Sequence, residues 1–329
     1  MLQLQNNTPF SADFSLFPNE NGIDSLYVNI RATFKIGQQW SLADQQLSPV
    51  QVDEYWGEPD SSSIKYPSDI HLGKTSTDII MVGSAFAPNG KNVQQLDVSL
   101  TAGKVAKTVR VFGDRQWQDG YISQPVPFQM MPMVYERAYG GQYTLDDEIC
   151  AQESNPVGLG FVGKRNKAEV DGLPLPNLES LDELITTIKD QPQPACFAAI
   201  APYWLPRSGY AGTYDEKWQT TCAPYLPFDF DKRFCNVASS GLVYPEYLQG
   251  GEPVEITNMH AQGNLKFTIP HVNLNCAVTM ANTEYKPKFN LETLLLEPND
   301  LTISMVWRAV VLCDKKVIKI NTIKINMAR

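Results

Sequence analysis

Twelve residues, SLYVNIRATFKI from Ser25 to Ile36, constrain the fold more than any other stretch of the sequence. Leu26, Val28, Ile30, Ala32, Phe34 and Ile36 are apolar, Ser25, Asn29, Arg31, Thr33 and Lys35 are polar, and Tyr27 alone fits either set. Side chains along a strand point alternately to opposite faces, so this period of two predicts a strand with one buried and one open face. A second run, LTISMVWRAVVLC, is apolar at every odd position from Leu301 to Cys313, and its even positions turn apolar after Arg308. Burial on both faces is expected there, which makes this a central strand.

Shorter runs extend the pattern. LDVSL and KTVRVFG flank the turn residues TAGK and predict a hairpin over Leu96 to Gly113. After Cys313, DKK followed by VIKINTIKINM predicts a C-terminal hairpin, with Ile323, Ile325 and Met327 alternating against polar neighbours. DIIMVGSAFA, PVEITNM, LKFTI and LNCAVTM add short strands. Helical signals are few. SLDELITTIKD sets Leu181, Leu184, Ile185 and Ile188 on one face behind Ser180 and Glu183, the spacing of a capping box, and predicts a short helix. Thr213 and Glu216 repeat that spacing and predict a turn or two of helix after Thr213.

Twelve of the 23 prolines fall between Gln124 and Pro227. Each fixes φ and removes a donor, which excludes long central strands there, while the aromatics of YWLPRSGYAGTYDEKW argue for an ordered lobe. The expected fold class is mainly β: antiparallel sheets in a sandwich-like core, a proline- and aromatic-rich lobe, and a few short helices. We read 1–329 as one domain with sub-lobes 1–123, 124–227 and 228–329.

The net charge of -9 repels phosphate backbones and anionic lipid, so neither nucleic acid nor a membrane is an expected partner. The first twenty residues lack a basic region followed by an apolar run, and a bacterial cytoplasmic location is expected. Six scattered cysteines form no C-x-x-C pair and read as reduced, mostly buried thiols. The three histidines are equally scattered, so no metal and no cofactor is expected. HLGKTSTD resembles a phosphate loop only in part, because Ser68 stands where a glycine is required and a strand-like run follows.

Two stretches carry charge that asks for an explanation. In PFDFDKRF, an extended chain would put Asp229, Asp231 and Arg233 on one face, with the carboxylates about 7 Å apart; a helical one would pair Asp229 with Arg233. A structural ion pair is the expected role. In VYERAYGG, Glu136 and Arg137 are adjacent and cannot easily pair with each other, so each is expected to find its own partner. Gly140 and Gly141 then allow positive φ or a close backbone approach, and we read the whole as a turn that fixes the proline-rich lobe.

VFGDRQW, MPMVYERAYGG, NPVGLGF, LPNLE, PYWLPRSGYAGTYDEKW, LPFDFDKRFCN and YLQGGEPV occur in one order along the chain. In these blocks the sequence resembles the domain-of-unknown-function family 2169, accessory proteins of bacterial type VI secretion. The resemblance implies an adaptor or chaperone that holds a toxic effector and helps load it onto the VgrG and PAAR spike, without catalysis. Glu136, Arg137, Gly140, Gly141, Asp215, Asp229 and Arg233 stand in its motif blocks. Aromatic residues and arginines dominate interface hot spots, so Tyr203, Trp204, Arg207, Tyr210, Tyr214 and Trp218 are the candidate partner contacts. Two other classes stay open: a carbohydrate-active β-sandwich enzyme pairing Glu136 with Asp229 or Asp231 as its carboxylates, and a structural component of the secretion apparatus.

Overall fold

The computed structural model describes residues 2–37 and 39–328. The chain is mainly β, built on three larger sheets with several two- and three-stranded ones around them. At the centre of the first sheet, Asp24–Lys35 and Thr302–Leu312 run antiparallel over eleven paired positions, from Thr302 opposite Lys35 to Leu312 opposite Ser25. Ser11–Pro18 flanks the first of these, Asn290–Glu297 flanks the second, and Asp78–Met81 closes the row in parallel with Asn290–Glu297. The expected hairpin forms as Gln95–Ala102 against Val105–Phe112, the middle of a five-stranded sheet that continues through Pro253–Thr257. Buried side chains of all three sheets merge into a single cluster reaching from Phe10 to Ile325.

Several expectations change. The strand at Asp24–Lys35 has no open face: Ser25, Asn29, Arg31 and Thr33 are buried along with the apolar set. In Thr302–Leu312, burial on both faces covers Ile303 to Ala309, and beyond Arg308 the reverse of the expectation holds, with Val310 and Leu312 exposed. The C-terminal hairpin does not form. A 3-10 segment, Asp314–Lys319, carries the chain away, and Ile320–Met327 joins another sheet between Gln3–Asn7 and Leu274–Met280.

SLDELITTIKD is not helical. Its would-be ladder donors are taken by side chains: Asp190 accepts from the N–H groups of Thr186 and Thr187, and Glu179 from that of Ile185. Glu183 turns to the N–H of Gln193 instead of closing a capping box. Local side-chain acceptors here outcompete the helix. Ile185 is still buried, in a second apolar cluster with Trp117, Tyr139, Val162, Val170 and Leu175 that forms the core of the proline-rich lobe. No strand between residues 124 and 227 exceeds four residues, in keeping with its prolines. Among the described residues no helix is long and apolar enough to cross a membrane.

Candidate functional site

The polar face of the central strands buries a charge network. Arg31 stands 3.6 Å from Asp69, Arg308 Nε donates to Glu292 Oε2 at 2.7 Å, and Lys74 Nζ pairs with Asp78 at 2.7 Å while donating to Thr293. Glu292 is the extra residue where the register between Asn290–Glu297 and Thr302–Leu312 shifts, a bulge that re-aims its carboxylate. Three cations thus face three anions, and buried charges persist only when paired and hydrogen-bonded. Burial pushes the Asp69 and Glu292 carboxyls up, with Arg31 and Arg308 pulling each back. Lys74, the lysine of the phosphate-loop look-alike, is wholly committed inside this network.

His71 connects the network to the surface. Its Nδ1 accepts from Gly73 N–H at 3.1 Å, and its Nε2 lies 3.0 Å from the Arg308 guanidinium. Burial, reinforced by Arg308, Lys74, Arg207 and Lys232, holds the imidazole well below its usual range. His71 also lines a half-open cavity of about 450 Å³ whose walls include Phe17, Ile70, Phe230 and Phe234, with Asp53 and Arg207 at its polar edge. Such a cavity suits an apolar group more than a charged one.

The aromatic lobe frames that cavity, and here the candidate contacts separate. Trp204 is completely buried, edge-on to Tyr135 at 5.4 Å, and is not a surface contact as expected: it is part of the core. Arg207 is likewise turned inward, donating to the carbonyls of Phe234 and Ile200. Tyr210 lies under the Arg233 guanidinium, 4.3 Å from its ring centre. Trp218 packs on Tyr214 and donates its indole N–H to Tyr225 O. Tyr203 and Tyr214 remain exposed, and they are joined by two aromatics outside the expected set, Tyr225 and Phe228. Phe228 is 89% exposed. The segment PFDFDKRF turns before a 3-10 helix at Lys232–Cys235 and leaves Phe228 outside.

The motif residues are held locally. Asp215 caps the Glu216–Thr221 helix by accepting from Trp218 N–H, the role expected of Thr213. Thr213 instead donates its N–H and hydroxyl to Asp229, which keeps that carboxyl below its usual range. Arg233 pairs with Asp231 at 2.5 Å and not with Asp229. Glu136 and Arg137 diverge as expected: Glu136 accepts from Ser63 N–H and hydroxyl at 2.6 and 2.7 Å, while Arg137 reaches Asp114 and Asn177. Neither Asp229 nor Asp231 lines the cavity that Glu136 lines. Among the described residues no group of three or more His, Cys, Asp or Glu is placed to hold a metal ion.

Gly140 and Gly141 are required by a close backbone crossing. A Cβ on Gly140, at φ +154°, would stand 2.1 Å from Asn155 O, and one on Gly158 would meet Asn155 Nδ2 and Ala138 O. Asn155, fully buried, donates to the carbonyls of Tyr135 and Tyr139. The blocks VYERAYGG and NPVGLGF are therefore two halves of one interlock, joined in parallel at Tyr139–Gly140 and Leu159–Gly160.

These features define a mainly β protein of antiparallel sheets, with a buried ion network beneath a half-open cavity and an aromatic lobe beside it. The chain belongs to the family described as uncharacterized protein conserved in bacteria (DUF2169), whose model matches residues 21–308. No curated protein and no solved structure matches it.

Proposed function

We propose that the protein is a non-catalytic adaptor that binds a toxic effector in the bacterial cytoplasm and helps load it onto the VgrG and PAAR spike of type VI secretion. One observation carries the binding part of this reading: Tyr214, Tyr225 and Phe228 are exposed on a small substructure, residues 210–231, that is tied internally on every side. Asp231 N–H closes it onto Tyr210 O at 3.0 Å, Asp229 fastens Thr213, and Trp218 is bonded to Tyr225 O. Large aromatic side chains on a pre-ordered frame lose little entropy on binding, the property of interface anchors. The secretion context rests on the resemblance of the motif blocks. Co-purification with the toxin encoded beside the gene tests it: the complex should form and should be lost in Phe228→Ser. Absence of any complex with that toxin, or stoichiometric assembly with sheath proteins in its place, would overturn the adaptor reading.

A further inference from the structure

The half-open cavity of about 450 Å³ beside His71 has a volume in the range of small-ligand sites, and its walls come from three separate parts of the chain. Phe17 reaches it from the central sheet, Ile70 and Leu72 from the segment that carries Asp69, and Leu226, Phe230 and Phe234 from the end of the aromatic lobe. All six are only partly covered by the rest of the fold. A concave apolar wall left open in this way is suited to receive another apolar group.

Two opposite charges line this same cavity without pairing. Asp53 accepts from Ser68 N–H at 2.7 Å through Oδ1, and its Oδ2 has no partner among the described residues. Arg207 donates Nε to Phe234 O and Nη1 to Ile200 O, both at 2.9 Å, while Nη2 donates to none of the described residues. Neither side chain belongs to an ion pair among the described residues. Burial lowers the Arg207 guanidinium from its usual range, and Asp53 is the first of the charges that oppose that lowering. The two residues are therefore close enough to feel each other and too far apart to neutralise each other. Both free atoms remain open to solvent, since neither is among the buried partnerless ones.

We infer that this cavity binds the α-amino end of an apolar amino acid, with the ammonium against Asp53 Oδ2, the carboxyl or carbonyl oxygen against Arg207 Nη2, and the side chain along Phe17 and Phe230. Such a group carries a cationic donor and an oxygen acceptor two bonds from each other's carbon, with an apolar branch between them, so it meets both charges and the wall at once. A simple anion would face Asp53, and a simple cation would face Arg207. Hydrogen bonds to the two ionised groups are of the charge-assisted kind, and burial of the branch adds the hydrophobic gain. The inference does not rest on the adaptor reading, and its test needs no effector.

Calorimetric titration of the full chain at physiological salt tests it with two probes. L-phenylalanine represents a free amino acid and L-phenylalaninamide the first residue of a polypeptide; saturable binding of either supports the inference, and the tighter one assigns the source. N-acetyl-L-phenylalanine, which lacks the ammonium, and glycine, which lacks the apolar branch, should each bind at least about tenfold more weakly. Asp53→Asn, which keeps an oxygen acceptor for Ser68 N–H, should weaken binding of the tighter probe by a similar factor with unchanged melting. If that variant fails to fold, Phe230→Ala, which removes part of the wall and no charge, should weaken binding severalfold. No saturable binding of either probe up to about 10 mM, the limit of meaningful affinity for so small a ligand, overturns the inference. Equal affinity for L-phenylalanine and its N-acetyl derivative, or affinity unaffected by both substitutions, overturns it as well.

Discussion

Arg308 and Glu292 lie on neighbouring central strands with guanidinium Nε and carboxylate Oε2 2.7 Å apart, and both side chains are almost wholly out of water. The pair sits at a bulge, so its geometry depends on the register shift between Leu291 and Thr293. Arg308 also reaches Asp69 O and the edge of His71. Removing one member therefore strands the other.

Arg308→Met should destabilise the fold by about 3–5 kcal/mol, the cost of leaving a buried carboxylate unpaired. Adding Glu292→Leu to it should recover part of that loss, because the uncompensated charge goes too. Denaturant unfolding of the two single variants and the double one measures the coupling. A double variant as unstable as the sum of the singles would show that the two residues act separately.

His71 gives the pH dependence a sign. In the folded protein the imidazole stays neutral well below its usual range, whereas in the unfolded chain it takes up a proton near pH 6.5. The unfolded state then binds more protons, so this group's contribution to stability is present above about pH 6.5 and falls by up to about 1.4 kcal/mol per pH unit below it. Asp69 and Glu292, whose carboxyls burial raises, contribute the opposite slope at low pH. Subtracting His71→Gln from the wild type isolates the histidine: the difference in unfolding free energy should shrink between pH 6.5 and 5. A difference independent of pH would mean that His71 is protonated in the fold.

That network also marks the limit of what was legible in the sequence. Alternation in SLYVNIRATFKI identifies a strand, and does so correctly, but it reports direction and not what covers each face. Arg31 and Asn29 read as solvent-facing because the partner of both, Asp69, comes from a distant part of the chain. Arg308, alone among apolar neighbours in VWRAVV, was the one visible hint that a charge is buried. The hairpin at Gln95–Phe112 was legible because its turn and its two strands are contiguous. The C-terminal hairpin was misread for the complementary reason: Ile320–Met327 has the right alternation but finds its partners in Gln3–Asn7 and Leu274–Met280, which no local pattern reveals.

The glycine interlock should be among the least tolerant positions in the protein. Gly140→Ala adds both positive-φ strain and a Cβ 2.1 Å from Asn155 O, a backbone atom that cannot rotate away. We expect a loss of about 3 kcal/mol or more. Gly241, at φ +84° with nothing within 4 Å of its would-be Cβ, supplies the control. Gly241→Ala should cost only the conformational strain, about 1–2 kcal/mol. Equal melting temperatures for the two variants would remove the close approach as the reason for the glycine in YGG.

The aromatic lobe separates stability from binding within a single short region. Trp204 is completely buried and packs edge-on to Tyr135, so Trp204→Ala should destabilise the fold by about 3–5 kcal/mol and lower the yield of any complex only through unfolding. Tyr214 and Phe228 point the other way, exposed on a frame held by Asp215, Asp229 and Trp218. Tyr214→Ser and Phe228→Ser should leave the melting temperature within the range of ordinary surface changes, about 0.5 kcal/mol, and still weaken effector capture by tenfold or more if these rings are anchors. Asp229→Ala, which frees Thr213 and loosens the frame without touching either ring, should give an intermediate loss with a faster off-rate, since pre-ordering is what it removes. Capture by all three variants at wild-type affinity would move the binding face away from residues 210–231.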